Sequence, residues 1–371
     1  MDLSGILADP AASGPRLAWA EHCGDPERAE VIRLQCAAHD GQPGGPERAE
    51  ALVAANFDRW FGKVATLVRP NDVWRGFVIN AEGPLSDVIT HADALAEVSV
   101  ELTLRIEDVD TPLGPLADHP LLERVQRVEF GEDVTGHQDF LAEFFQAPRL
   151  TNLRSVTFTD DPSAAETVRT VDEYLPLTVT SLNFAGFMTT TFDDSIAREL
   201  CSSPRVAQLE NLGLYNCNLT AEGAAAVGDG TFPGLTALHL GMGHHARNHI
   251  GADGVKALGP LTRLSHLDLD FNNLGDRGIR SLRRAFRHLR RLHLRANNIS
   301  DKGLTMLCDA PVIRQLEFLD LRHNRITAKG ATELVRTAPS RLRELWISDG
   351  PAADTIARSH WAARLDLFQV V

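Results

Sequence analysis

The sequence predicts an α/β solenoid with a curved parallel sheet inside and helices outside, wound right-handed and sealed at its N-terminal end by a helical cap. Three observations carry this reading. From residue 209 onward the chain aligns with itself at intervals of 25 to 29 residues. Within each interval an x-L-x-L segment alternates, as a short strand with one buried face does. A glycine and then a leucine follow at helical spacing. A chain that repeats this way grows in one dimension, so its 371 residues need not divide into several globular domains.

The N-terminal part, residues 1–71, reads as amphipathic helices broken at GQPGGP (41–46). Leu17, Trp19, Val31, Ile32 and Leu34 supply the apolar faces, and the charged residues of PERAEVIRLQ are expected to be solvated. ILADPAASGPRLAWAEHCGDPERAEVIRLQC carries Asp9-Pro10, Arg16-Leu17-Ala18 with Ala20, Gly24-Asp25-Pro26, Arg28-Ala29-Glu30 and Ile32-Arg33-Leu34-Gln35. Arg59-Trp60 and the WRGFV of 74–78 follow. Across residues 3–80 these resemble the repeat-companion domain, a bacterial module that precedes leucine-rich repeats. The resemblance departs from that pattern at His22-Cys23 and implies a cap on the first repeat.

Residues 72–350 carry the repeats. WRGFVIN (74–80), VELTLRI (100–106), and the segments starting at Val125, Leu153 and Val179 keep the apolar spacing in worn form. The strongest stretch is 209–341, with LENLGLYNCNLTAEGAAAV, LTALHLGMGHHARNHIGADGVKAL, LSHLDLDFNNLGDRGIRSL, LRRLHLRANNISDKGLTML and LEFLDLRHNRITAKGATEL. Their shared template, L-x-x-L-x-L-x-x-N/C-x-L/I-x-x-x-G-x-x-x-L, is similar to the leucine-rich repeat. At the N/C position stand Cys217, Asn248, Asn272, Asn297 and Asn324, suited to bonding backbone where the chain leaves the strand. Thr220, Ser300 and Thr327 stand where helix N-caps belong, with Asp276 and Asp301 in first turns. The template glycine is expected to let the helix pack closely on the strands. Repeats of this length resemble the ribonuclease-inhibitor-like class, which includes the Ran GTPase-activating protein fold. Residues 351–371 then form a C-terminal cap, with Trp361, Leu365, Leu367 and Phe368 as an apolar lid.

Composition narrows the function classes. Apolar content of 43% and charged content of 23% are those of a globular protein, and no apolar run approaches a membrane span. The start MDLSGILADPAASGPRLAW lacks the form of a signal peptide, and five scattered cysteines do not make a disulfide framework. A cytoplasmic location is expected. The net charge of −13 conceals a basic end, since residues 255–345 hold 18 Lys/Arg against 9 Asp/Glu. No phosphate-binding, dinucleotide-binding, nucleophile-elbow or zinc-protease motif is present, so no cofactor and no catalytic residue are expected. Nor does any nucleic-acid-binding motif accompany the arginine run RSLRRAFRHLRRLHLR (280–295).

The outward positions of the repeat strands carry the functional expectation. Their central column reads Gly213, His239, Asp268, His293, Asp320 and Trp346. One flanking column adds His266, Arg291 and Phe318, and the other adds Tyr215, Gly241, Asp270, Arg295 and Arg322. Arginine with Trp and Tyr is hot-spot composition, so a non-enzymatic scaffold gripping a protein partner on the concave face of the C-terminal repeats is the leading expectation, and the arginine run leaves room for that partner to be acidic. The plain alternative is that His239, Asp268, His293 and Asp320 neutralise one another across strands, with the imidazoles charged. The loop GMGHHARNHIG spans ten residues from Leu240 to Ile250 where sister repeats span five, an insertion within Gly241–Arg247. It offers His244, His245 and Arg247 to the same partner. Two further readings stand beside the scaffold. One is an enzyme or metal-dependent protein using the His/Asp cluster of residues 239–293, with His239, His245, His249 and Asp268 as ligands. The other is a small-GTPase regulator, which rests on fold analogy alone. Oligomeric state is left open.

Overall fold

The computed structural model describes residues 3–43, 45–186, 190–241 and 248–371, leaving aside the side chains of 283–285. The chain forms two compact units, Met1–Val156 and Thr157–Val371. No helix among the described residues is long and apolar enough to cross a membrane.

The first unit opens with helices Ser4–Ala8, Ser13–His22, Pro26–His39 and Pro46–Phe61. Four strands follow, β1 Val73–Trp74, β2 Phe77–Gly83, β3 Ser99–Ile106 and β4 Val125–Phe130. β1 and β2 form an antiparallel hairpin, while β2–β3 and β3–β4 are parallel. The hairpin turn is Arg75-Gly76, with φ of +51° and +78°, the left-handed pair that a two-residue turn requires. A Cβ on Gly76 would stand 2.3 Å from Ile32 Cγ1, so the turn sits directly on the third helix. Ile32, Cys36, Phe77 and Val100 share one apolar cluster, with Leu17 and Trp19 packed against it.

PERAEVIRLQ departs from its expected solvated character at Arg28. Its guanidinium lies over the rings of Trp19, Phe61 and Phe77 at 5.1, 5.2 and 5.6 Å and donates to the Gly76 carbonyl. Asp25 caps the same helix, accepting from the Glu27 and Arg28 amides, and takes the Trp60 indole N–H at 2.6 Å. Arg75 donates to the carbonyls of Ala11 and Pro10, Arg16 also reaches Pro10, and Gln35 accepts from the Gly76 amide. The residues that carry the companion-domain resemblance thus tie the helices to the first hairpin.

β5, Ser155–Thr159, spans the boundary between the units. The second unit then carries β6 Ser181–Ala185, β7 Asn211–Tyr215, β8 Ala237–His239, β9 His266–Asp268, β10 Arg291–His293, β11 Phe318–Asp320, β12 Glu344–Ile347 and β13 Leu367–Val370. From β6 to β13 each strand pairs in parallel with the next. Leu182, Leu212, Leu238, Leu267, Leu292, Leu319 and Leu345 fall in one register line, all buried. This is the register the template predicts.

The asparagines act as expected. Asn272 donates to the carbonyls of Leu240 and Asp270 and accepts from Ile250 N–H, and Asn297 repeats the pattern one coil on. Each therefore satisfies buried backbone in its own coil and its neighbour's. The glycines do something different from the expectation. A Cβ on Gly223, Gly303 or Gly330 would come within 2.3 to 2.4 Å of a carboxylate oxygen of Asp194, Asp276 or Asp301 in the preceding coil. Those aspartates reach forward to the next helix cap, Asp276 to Ser300 and Asp301 to Thr327, each through backbone N–H and hydroxyl. Where the preceding coil has Ala221 or Ala252 instead, the cap position is Gly251 or Gly275, at φ of +58° and +56°. The glycine clears space for an inter-coil tie as much as for helix packing.

The C-terminal lid is only partly as expected. Trp361 is buried and Phe368 half-buried, but Leu367 lies in strand β13 with 44% of its surface exposed. The segment extends the sheet by one parallel strand, and Leu367 and Val370 at its two ends are exposed.

Candidate functional site

Parallel strands in register bring equivalent side chains about 4.8 Å apart on the face away from the helices. On that face the rings of Tyr215, His239, His266, His293, Phe318 and Trp346 form an unbroken ladder. Successive centroids are 5.5, 4.7, 5.2, 4.5 and 5.0 Å apart, and the His266 and His293 planes lie within 4° of each other. Two arginines stand over rings at its far end. Arg291 sits 4.3 Å from the Phe318 centroid and Arg322 sits 4.4 Å from that of Trp346. Phe318 is fully buried beneath this layer, while the other five rings are half-buried.

Charge is matched locally at the β11–β12 end of the face. Asp320 is fully buried, and Arg322, two residues on, donates to it through Nε at 3.0 Å and through a terminal nitrogen at 2.6 Å. Arg291 lies 3.7 Å from Glu344. In the β9 coil the positions of Asp320 and Arg322 are taken by Asp268 and Asp270, two acids. Asp268 Oδ1 accepts the Asp270 amide at 2.9 Å, and Asp270 Oδ1 accepts the Arg295 amide at 2.7 Å. Burial holds both carboxyls above the usual range, and the charges of Asp268 and Asp320 push Asp270 further up.

The expectation of charged imidazoles between carboxylates is overturned. Burial pushes His239 down to about 4 and His293 to about 3, with neighbouring imidazoles adding to both and Arg291 and Arg322 to His293. His266 is lowered by burial and by Arg291. Asp320 cannot favour the imidazolium because Arg322 already occupies it. The three imidazoles are therefore neutral at pH 7 and act as rings and nitrogen donors.

Tyr215, His239, His266, Asp268, Asp270, Arg291, His293, Arg295, Asp320, Arg322 and Trp346 all lie on this one face, as the repeat register predicts. They are packed on one another rather than freely displayed, and Asp320 is out of reach of solvent. His244, His245 and Arg247 lie outside the described residues. His249 is exposed beside Asn248, whose side chain is spent on backbone. The four-residue metal set therefore cannot be assembled from the described residues. Those brought together are Asp268, Asp270 and His293, with one ligand atom of each within 4.8 Å of the others. Phe271, at φ +60° beneath Arg295, and the central role of Phe318 were not singled out in the sequence. Phe318 was legible as an outward position flanked by two rings in register. The surplus positive charge of residues 255–345 is carried by exposed side chains such as Arg277, Arg280 and Arg287, while Arg291 and Arg322 of the strand face are paired with acids.

Residues 262–282, 287–308 and 314–335 match the family model described as leucine-rich repeat. No curated protein sequence matches the chain. Among solved structures, the yeast Rad7 and Elc1 complex aligns at 13% identity over 99% of this chain and 98% of that chain, with a TM-score of 0.45. A protein from Bacteroides fragilis aligns at 13% identity over 67% of this chain and 74% of its own, with a TM-score of 0.43. The repeat matches fall on the coils of β9 to β11, so these three coils are similar to leucine-rich repeats.

Proposed function

We propose that the protein is a non-enzymatic interaction scaffold that binds a protein partner on the strand face of its C-terminal repeats. The observation that carries this reading is the six-ring ladder from Tyr215 to Trp346, overlaid by Arg291 and Arg322. Aromatic and arginine side chains dominate binding energy at interfaces. Because these are already packed on a regular sheet, little side-chain entropy remains to be lost when a partner arrives. The local balance of charge suits a partner presenting apolar and aromatic groups at the ladder. An acidic character, if the partner has one, is met by Arg277, Arg280 and Arg287 on the helix side. His244, His245 and Arg247 are proposed as further contacts from the inserted loop.

The N-terminal helices, residues 1–71, are read as a repeat-companion module capping the repeats of 72–350, with 351–371 as the opposite cap. The ties from Arg28, Arg75 and Gln35 to the first hairpin support that role. Five buried cysteines, none in a disulfide, support a reducing, cytoplasmic setting.

The test is affinity capture from the native host with the wild type, Trp346→Ala, Arg291→Glu and the helix-side variant Arg280→Glu. The reading expects the captured set to be lost with the first two variants and retained with the third. Retention with Trp346→Ala and Arg291→Glu, with loss in Arg280→Glu, would place binding on the helices and overturn it.

A further inference from the structure

We propose that Asp268, Asp270 and His293 form a binding site for a divalent transition-metal ion, a role separate from partner binding. One carboxylate oxygen from each aspartate and a ring nitrogen of His293 lie within 4.8 Å of one another. Two ligands on one ion at the usual distance of about 2.0–2.2 Å stand up to about 4.4 Å apart, so closing the site requires only small side-chain adjustment.

Four features of the surroundings fit a metal better than a plain salt-bridge layer. The coil of β11 answers Asp320 with Arg322 two residues on, whereas the coil of β9 places a second acid, Asp270, at that position. Two half-buried acids side by side repel each other when ionised, a bound cation would relieve that repulsion, and among the described residues no basic side chain forms an ion pair with either. His293 Nε2 is buried with no hydrogen-bond partner, a costly state for a polar nitrogen inside a protein. Each aspartate is oriented by one backbone N–H, Asp268 by that of Asp270 and Asp270 by that of Arg295, which leaves the second oxygen of each for a ligand. Finally, Gly241 packs against the pair, since a Cβ there would stand 2.3 Å from Asp268 Oδ1 and 2.5 Å from the Asp270 nitrogen. Any larger residue would displace the acids.

The donor set selects the metal class. An imidazole with two carboxylates suits zinc, manganese, iron(II) or cobalt(II), and its nitrogen argues against calcium or magnesium. No cysteine takes part, so soft copper(I) is not favoured. Three protein ligands leave at least one coordination position for water. His293 is held in place by stacking on His266 and Phe318, at 5.2 and 4.5 Å.

The experiment is calorimetric titration of Zn²⁺ and Co²⁺ into the full, tag-free, metal-stripped chain, with visible absorption of the Co²⁺ form. One ion per chain is expected. Asp270→Asn and His293→Gln should weaken binding at least about 10-fold. His249→Ala should leave it unchanged. The Co²⁺ spectrum should change in His293→Gln, which a purely structural role for the imidazole would not produce. Circular dichroism and melting curves establish that the variants fold, and the near-isosteric Asp270→Asn retains the test if His293→Gln does not. Absence of stoichiometric binding by the wild type, or equal binding by folded Asp270→Asn, would overturn the site. Loss of binding in His249→Ala with retention in Asp270→Asn would place the ion at the inserted loop and overturn it equally. Because metal is read directly, either outcome is independent of partner capture.

Discussion

At the scale of single residues, the imidazoles of the ladder are held towards the neutral state by burial. His239 has its folded pKa depressed to about 4, below the value of about 6.5 that it takes when unfolded. The unfolded chain therefore binds the extra proton first, and stability is lost as pH falls from about 6.5 towards 4. Replacing His239 with phenylalanine keeps a ring in the ladder and removes the proton. His239→Phe should show a flatter dependence of melting temperature on pH across that window than the wild type. Asp270 works in the opposite direction. Its folded pKa is raised by burial and by Asp268, above an unfolded value of about 3.9. Stability is then present at low pH and declines as pH rises through the folded pKa. In chelator, Asp270→Asn should melt above the wild type at pH 8, with the difference vanishing near pH 4. A wild type that melts at or above Asp270→Asn at pH 8 in chelator would contradict the electrostatic account of the acid pair.

At the scale of the repeat, the coils are joined by more than leucine packing. The carboxylate of Asp301 bonds both the amide and the hydroxyl of Thr327, and that hydroxyl caps the next helix through the Lys329 amide. Asp301→Ala removes two of these bonds and should cost about 1 kcal/mol. Gly330→Ala forces a Cβ to within 2.4 Å of the same carboxylate and should cost about 1–3 kcal/mol by overpacking. In the double variant the clash with the oxygen is gone, so the two losses should sum to more than the measured total. Chemical denaturation of the four proteins of this cycle provides the measurement, and simple additivity would show that the tie and the glycine are unrelated. The N-terminal element has an equally local anchor. Arg28→Ala removes three ring contacts and the bonds to Gly76, and should destabilise the first unit by about 2 kcal/mol.

At the scale of the whole molecule, the repeat register was legible because period-two alternation and a recurring asparagine leave one consistent alignment of Leu212, Leu238, Leu267, Leu292, Leu319 and Leu345. The columns of the strand face followed from that alignment. Protonation did not, because whether an imidazole beside Asp320 is charged depends on where Arg322 points, and spacing alone leaves that choice open. The contrast between the Asp320–Arg322 pair and the Asp268–Asp270 pair was present in the sequence, yet it acquires meaning only once burial is known. Arg28 escaped for a related reason: its helix is polar on paper, and the cage of Trp19, Phe61 and Phe77 is drawn from three separate segments. The Leu367 strand escaped because four residues of mixed polarity fit a lid or an edge strand equally well.

The central claim is that the partner sits on the ladder. Hydroxyl-radical footprinting of the captured complex reads this most directly, because the oxidisable residues are the proposed contacts themselves. Protection of Trp346, His266, His239 and Tyr215, with His288 and His360 labelled as in the free protein, is the predicted result. Unchanged labelling of the four ladder residues in a complex that protects His288 would contradict it.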